Sequence, residues 1–185
     1  HLESIRATMG DVSLTALILK AVAKALESHD ILNSTLNENE IKIFEDINIA
    51  LAINTPGGLV APVIRNSNKK SIVEISNAIR LLTEKAVQNK LSLEELLSGT
   101  FTVTNMGPHD VEVFAPIINP PQSAILGIGR VAKRAVVINN QIVIKPVATL
   151  SLVFDHRVTD GVPAAEFLRD VKRLLEEPRL FLSSV

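Results

Sequence analysis

Residues 151–168 read SLVFDHRVTDGVPAAEFL, and two hydrophobic periodicities meet in this stretch. Leu150, Leu152 and Phe154 alternate with small or polar neighbours, which is the pattern of a β-strand. After Pro163 the apolar residues take helical spacing: Ala164, Phe167, Leu168, Val171, Leu174 and Leu175. We therefore predict a strand and then a helix to about Glu177, within one α/β domain that has a mixed sheet with helices packed on it.

Four ionisable residues lie between the predicted strand and helix: Asp155, His156, Arg157 and Asp160. His156 is a candidate general base, because a neutral imidazole can accept a proton near neutral pH. The alternative is a structural ion-pair cluster in which Arg157 pairs with Asp155 or Asp160 and His156 takes no part. Asp160 could likewise do no more than cap the first backbone N–H groups of the helix. Spacing alone leaves these alternatives open.

Length and composition favour a single domain over residues 1–185 with an aliphatic core. The chain has 46% hydrophobic residues, six Phe as its aromatic residues and a net charge of −1. We expect no nucleic-acid partner, because such proteins usually carry a basic excess. The chain has no Cys, which excludes disulfides and thiolate metal sites. No H-x-x-x-H or H-E-x-x-H spacing occurs, so we predict no metal.

Capping and turn signals mark the other elements. Ser13 begins a helix predicted to run to about Glu27, and two S-x-x-E patterns, from Ser71 and Ser92, begin two more helices. NSTLNENE reads as a polar turn region. Residues 47–64 have no charge, but prolines and glycines interrupt them, so two buried strands joined by a turn fit better than a membrane span. AVVINNQIVI predicts a hairpin.

Three threonines alternate in GTFTVTNMG, at positions 100, 102 and 104, so a strand would place their hydroxyls on one face. The ordinary explanation is that Thr is common in strands, and without further information we favour it for each of the three.

The chain resembles the catalytic domain of the dihydrolipoamide acyltransferases, the core components of 2-oxo acid dehydrogenase complexes. FDHRVTDG matches the D-H-R-x-x-D-G signature of that family. NIALAINTPGGLVAPVIRN, SGTFTVTNMG and APIINPPQSAILGIGR occur in the family's order and spacing. The resemblance covers about residue 12 to the C-terminus.

This resemblance implies a fold like that of the CoA-dependent acyltransferases, a two-layer α/β sandwich, in a homotrimer with each active site at a subunit boundary. Trimers would build a 24- or 60-subunit core. Coenzyme A is expected as a substrate, and lipoamide would arrive on a lipoyl domain. The decarboxylase and dihydrolipoamide dehydrogenase components would bind through domains that this chain is expected to lack, together with the N-terminal part of the catalytic domain. The implied location is the cytoplasm, or the mitochondrial matrix in a eukaryote, with no membrane partner.

The resemblance also assigns roles to residues. The family's catalytic histidine falls on His156, the downstream acid of the motif on Asp160, and the hydroxyl that stabilises the oxyanion on Thr104. Many members have Ser at this last position, and the extra methyl of Thr leaves the acyl group open between acetyl, branched-chain and succinyl.

Two other functions stay open at this stage. The chain could be a non-catalytic structural core subunit, although binding homologues lack the catalytic histidine. It could also be a CoA-dependent acyltransferase with a small-molecule acceptor. The apolar C-terminus, RLFLSSV, is expected to pack on a neighbouring subunit, with folding back on its own subunit as the alternative.

Overall fold

The computed structural model describes residues 12–182, in which runs of β-strands are separated by helices. In this range the strands are β1 (Ser34–Asn37), β2 (Glu40–Ile43), β3 (Ile49–Thr55), β4 (Gly58–Val60), β5 (Val63–Ile64), β6 (Phe101–Asn105), β7 (Ala124–Ile128), β8 (Ala132–Ile138), β9 (Gln141–Val147) and β10 (Leu150–Phe154). The helices are α1 (Leu14–Leu26), α2 (Ile72–Val87), α3 (Leu93–Leu96), α4 (Gly161–Glu176) and α5 (Arg179–Leu182). Short 3₁₀ turns lie at Asp30–Leu32 and Gly107–His109.

A six-stranded mixed sheet forms the centre of the fold. Its strand order is β10-β7-β6-β3-β4, and β5 also pairs with β3. The β3–β6 and β6–β7 pairs are parallel, whereas β10 runs antiparallel to β7. The expected mixed sheet is therefore confirmed, and the strand order places the last strand of the chain, β10, at one edge of the sheet.

The helices begin where the capping signals placed them. The Ser13 hydroxyl accepts from the backbone N–H of Ala16 at 3.1 Å, at the start of α1. Ser71 and Ser92 both form complete capping boxes at α2 and α3. Each box satisfies two backbone N–H groups that would otherwise have no partner. α4 ends at Glu176, in agreement with the predicted end near Glu177.

One layer of helices covers one face of the sheet. α1 packs against α2 and α4, and its residues Leu17 and Val22 are fully buried. Phe101 of β6 and Phe167 of α4 are both fully buried, with ring centroids 5.7 Å apart. Burial of side chains of this size stabilises the fold by about 1.5–3 kcal/mol each. The sheet face of Phe101 is therefore the core face, and the two-layer arrangement is confirmed.

Two hairpins stand apart from the central sheet. β8 and β9 turn at Asn139 and Asn140, both of which have positive φ, as a type I′ turn requires, so this predicted hairpin is confirmed. The interpretation of NSTLNENE as a turn region is wrong in part. Its first half forms β1, which pairs with β2 through a turn at Glu38, where φ is +52°. The side chain of Ser34 is fully buried, so tertiary contacts override the polar composition.

The charge-free stretch was predicted to form strands rather than a membrane span. Residues 47–64 form strands with a turn at the glycines, as predicted, but there are three strands rather than two, and the middle one, β4, is mostly exposed rather than buried. None of the helices in residues 12–182 is long and apolar enough to cross a membrane. The spacing of Leu2, Ile5 and Met9 predicts the tail of a helix in residues 1–10, which lie outside the described residues. Most of the C-terminal segment RLFLSSV, which is predicted to contact a neighbouring subunit, lies outside them as well.

Candidate active site

The turn that carries His156 is tied to the edge of the sheet by backbone hydrogen bonds. The N–H of Asp155 donates to the carbonyl of Ser123 at 2.8 Å, which extends the β10–β7 ladder by one bond. The carbonyl of Asp155 accepts from the N–H groups of Val158 and Thr159, at 2.9 and 3.2 Å. These bonds close the turn tightly and hold His156 beyond the end of β10.

Asp155 and Arg157 form a charge pair within this turn. Arg157 donates from Nε to Oδ1 at 3.0 Å and from a terminal nitrogen to Oδ2 at 2.7 Å. The backbone N–H of Arg157 donates to the same carboxylate at 2.9 Å. These hydrogen bonds from Arg157 lower the pKa of Asp155, because they favour the ionised carboxylate. The structural ion pair weighed from the sequence is therefore present, between Arg157 and Asp155.

His156 does not take part in that pair and faces Asp160 instead. Its Nδ1 lies 3.4 Å from Oδ1 of Asp160, and the two side chains are 72% and 85% exposed. The ring of Phe154 lies 5.2 Å from the imidazole, between centroids. The imidazole is thus anchored on two sides and remains open to a neighbouring molecule.

Asp160 occupies the N-cap position of α4 but makes no capping hydrogen bond with its side chain. The side-chain capping of the first backbone N–H groups that the sequence suggested for Asp160 is therefore not observed. Because the carboxylate lies beside Nδ1 of His156, it can orient the imidazole and favour one of its tautomers.

Two of the three threonines have structural roles. The Thr102 hydroxyl donates to Oε1 of Gln122 at 2.5 Å, and Thr100 bridges the backbone of Asn48 by accepting at 3.0 Å and donating at 3.2 Å. Both side chains are buried. The ordinary explanation is confirmed for these two residues.

Thr104 differs from the other two threonines. Its side chain is half-buried near the end of β6, and within residues 12–182 we find no hydrogen bond to its hydroxyl. Its partners in the neighbouring strands are Ala52 and Gly127, both small. A hydroxyl that has no hydrogen-bond partner in residues 12–182 is suited to bind a ligand oxygen.

The structure does not bring Thr104 and His156 together within one subunit. Thr104 pairs with Gly127, and Gly127 pairs with Ser151, so these three residues form one row across the sheet. His156 lies five residues beyond Ser151, past the end of β10. The last residue of β10, Phe154, is three residues beyond Ser151, so at about 3.3 Å per residue the turn with His156 begins roughly 10 Å from this row along the strand direction. The carbonyl group of a single thioester therefore cannot be contacted by both Thr104 and His156 of the same subunit.

Sequence reasoning did not foresee the surroundings of Thr104. Gly127 stands in the middle of the strand pattern SAILGIG, and a glycine at such a position often marks the close approach of another segment. That segment contains Phe114, whose ring would lie 2.9 Å from a Cβ atom at Gly127.

The prediction of no metal stays a prediction.

Residues 1–183 match the family model described as 2-oxoacid dehydrogenases acyltransferase (catalytic domain). The dihydrolipoyllysine-residue acetyltransferase component of pyruvate dehydrogenase complex from Rickettsia bellii is 41% identical, over 97% of this chain and 44% of that protein. The succinyltransferase component of 2-oxoglutarate dehydrogenase complex from Haemophilus influenzae is 40% identical, over 90% and 41%. The chain thus spans less than half the length of these relatives.

Two solved structures share the fold closely. The dihydrolipoamide acetyltransferase of Azotobacter vinelandii superposes with a TM-score of 0.94 at 31% identity, over 98% of this chain and 79% of that one. The cubic core of a pyruvate dehydrogenase multienzyme complex gives 0.92 at 30% identity, over 98% and 77%. The Azotobacter work concerns the catalytic role of a serine, a histidine 52 positions later and an asparagine four positions after that.

Proposed function

The chain belongs to the 2-oxoacid dehydrogenase acyltransferase family, catalytic domain, and from this premise we propose that it transfers an acyl group between dihydrolipoamide and coenzyme A. The observation that carries the proposal is the matched spacing of three residues. Thr104 precedes His156 by 52 positions, and Asp160 follows His156 by four, as do the serine, histidine and asparagine of the Azotobacter enzyme. Thr keeps the hydroxyl of serine, and Asp keeps an oxygen in place of the asparagine oxygen.

His156 is the general base of the proposed reaction. A free thiol has a pKa near 8.5, so little thiolate exists at neutral pH. With Nδ1 facing Asp160, Nε2 accepts the proton from the attacking thiol while its sulfur bonds to the thioester carbon. When the tetrahedral intermediate collapses, the bond to the other sulfur breaks and His156 returns the proton to it. General-base catalysis of this kind contributes about 10²–10⁴ in rate.

Thr104 stabilises the intermediate. Attack on the thioester carbonyl places a negative charge on its oxygen, and the Thr104 hydroxyl donates a hydrogen bond to that oxygen. One such donor contributes roughly 10²–10³ in rate. The lack of a partner for this hydroxyl in the described part of the chain supports the role, since a hydroxyl already engaged in the protein would be a poorer donor.

The active site lies between two subunits. Because the turn with His156 begins roughly 10 Å along the strands from the row of the sheet that contains Thr104, a working site takes Thr104 from one subunit and His156 from its neighbour. The separation therefore supports an obligate oligomer, which we propose to be a trimer with three equivalent sites. Coenzyme A and the lipoyl group would reach each site along the subunit boundary.

An exposed apolar face supports the same assembly. Val137, Ile142 and Ile144 lie on one face of the β8–β9 hairpin and are 71–79% exposed in the single subunit. Three large neighbouring apolar side chains of this kind usually mark a contact with another chain. We propose that trimers join further into a 24- or 60-subunit core, and that lipoyl domains, decarboxylase and dihydrolipoamide dehydrogenase bind through other parts of the full protein.

The test is direct transfer in solution. The purified chain is incubated with acetyl-CoA and dihydrolipoamide, and both free coenzyme A and acetyl-dihydrolipoamide are quantified. We expect both products to form in equal amounts, faster than in a matched reaction without protein. An assembled, folded chain that forms neither product above this background would contradict the proposed function.

A further inference from the structure

Phe114 lies against the sheet directly beside Thr104. The ring contacts Gly127, the β7 partner of Thr104, where a Cβ atom would come within 2.9 Å of its Cζ and 3.2 Å of Cδ of Pro116. Paired residues of neighbouring strands point their side chains to the same face. Phe114 and Pro116 therefore lie on the face that carries Thr104. With strands about 4.8 Å apart, the ring edge is within roughly 8 Å of the Thr104 Cβ atom.

The segment that carries Phe114 is fixed to the sheet. The carbonyl of Val111 accepts from the N–H of Arg130 at 2.7 Å, just beyond the end of β7. Arg130 also pairs with Asp110 at 2.7 Å, and Arg134 pairs with Glu112 at 2.5 Å. Phe114 itself is half-buried. The ring therefore has a defined position and can act as a wall rather than as a mobile side chain.

We propose that Phe114, with Pro116 beside it, forms the wall of the acyl-group pocket and restricts this enzyme to short, uncharged acyl groups. The inference rests on the proposed function. Both sulfur atoms of the reaction must reach His156, which comes from the neighbouring subunit. The acyl chain extends to the other side of the carbonyl carbon, toward the subunit that supplies Thr104, and there it meets the ring.

The residues around Thr104 also disfavour an acyl group that carries a negative charge. The residues that the strand register and the contacts at Gly127 place around Thr104 are Ala52, Gly127, Ser151, Phe114 and Pro116. None of these five carries a charge, so a succinyl carboxylate gains no ion pair from them and loses hydration. The ring and the Thr104 methyl also narrow the space available to a branched chain. An acetyl group satisfies both conditions.

The test compares acyl donors in the full chain and in Phe114 variants. The value of kcat/KM is measured with acetyl-CoA, isobutyryl-CoA and succinyl-CoA, each with dihydrolipoamide as acceptor. Phe114→Ala and the more conservative Phe114→Leu are compared with Ile117→Ala, which alters an 89%-exposed side chain of the same segment. Assembly of each variant is checked by light scattering.

We expect the unaltered chain to prefer acetyl-CoA. Phe114→Ala should raise the isobutyryl-to-acetyl ratio of kcat/KM by about 10-fold or more, Phe114→Leu by less, and Ile117→Ala should leave the ratio unchanged. An unaltered chain that prefers succinyl-CoA or isobutyryl-CoA would overturn the inference. So would assembled Phe114 variants that lose activity equally with every donor, because the ring would then contact the thiol arm or serve only folding. A chain that transfers no acyl group at all would overturn the proposed function itself, and this inference with it.

Discussion

Nδ1 of His156 lies 3.4 Å from Oδ1 of Asp160, across the turn that leads into α4. Asp160 is the N-cap residue of α4, but its side chain makes no capping hydrogen bond there. The contact engages one imidazole nitrogen and leaves the other for proton transfer. We therefore propose that Asp160 is a positioning residue, which acts on the substrate through His156.

Replacement of Asp160 tests this positioning role. Asp160→Asn keeps an oxygen that can accept from Nδ1–H, so we expect kcat to stay within about 10-fold of the unaltered chain, whereas Asp160→Ala should lose a further factor of about 10. The rates are measured with acetyl-CoA and dihydrolipoamide on assembled protein. Glu166→Ala, an exposed change on α4, is the control and should leave kcat unchanged. Equal kcat for the Ala variant and the unaltered chain would show that the contact has no catalytic role.

Substitutions at Thr104 separate the hydroxyl from the shape of the side chain. Thr104→Ser should retain most activity, whereas Thr104→Val should lower kcat by roughly 10²–10³, equivalent to about 2.7–4 kcal/mol of transition-state stabilisation. Thr102→Val is the matched control on the same strand face. Because it removes the hydrogen bond to Gln122, it should lower the free energy of unfolding by about 1–3 kcal/mol with little change in kcat. The same kcat for the Ser and Val variants of Thr104 would exclude the hydroxyl from the mechanism.

The charge pair at Asp155 predicts a pH-dependent contribution to stability. Hydrogen bonds from Arg157 hold the pKa of Asp155 below its ordinary value of about 3.9, so the ionised form is favoured in the folded state. The stabilisation is fully present above about pH 4 and is lost as the pH falls through the folded-state pKa.

We therefore expect Asp155→Asn to destabilise the chain by about 1 kcal/mol at pH 7, and by progressively less as the pH falls below about 4. Urea unfolding at a series of pH values measures the difference. Asp46→Asn, whose carboxylate is 59% exposed and 3.8 Å from Lys69, is the control with little expected effect. A difference that grows as the pH falls would contradict the direction assigned to this pKa.

Local signals in the sequence predicted individual elements well. The serine hydroxyls at the helix starts, and the turn at Asn139 and Asn140, depend on contacts within a few residues. The local sequence therefore contains the residues that determine these features. β1 was missed because its stability comes from the burial of Ser34 and the pairing with β2 rather than from its polar sequence. The role of Gly127 depends on Phe114, which is 13 residues away in sequence, and no local pattern reveals that contact.

The sequence predicted the three residues of the site but not their relative positions. The family motif identified His156, Asp160 and Thr104, and the structure then shows that the first two are in contact whereas the third lies in a distant row of the sheet. That separation follows from β10 running antiparallel to β6 across β7, which is a long-range property of the sheet. This separation predicts that two subunits contribute residues to each active site.

The C-terminal segment is expected to join trimers into the larger core. Leu180 is 50% exposed at the start of the last helix, although Lys24 and Leu174 of the same subunit lie beside it. We expect deletion of residues 180–185 to leave trimers but to abolish the larger core, because an apolar tail at a chain end stabilises contacts between trimers. Light scattering on the truncated chain measures particle size. A particle as large as the untruncated assembly would mean that the tail packs within its own subunit.

The central claim is that each active site combines Thr104 of one subunit with His156 of another. Thr104→Val and His156→Ala each remove one of the two groups and should be nearly inactive alone, with His156→Ala losing about 10²–10⁴ in kcat. The decisive measurement is the acetyl-transfer activity of the two variants after they are unfolded together, mixed in equal amounts and refolded. Each variant refolded alone is the control.

With random mixing, about one site in four pairs an intact Thr104 with an intact His156 from the neighbouring subunit. We therefore predict that the mixture recovers about a quarter of the activity of the unaltered chain treated in the same way. If both groups came from the same subunit, no mixed oligomer would contain a complete site. An activity of the mixture no higher than the mean of the two separate variants, with mixed oligomers demonstrated by mass spectrometry, would contradict the account.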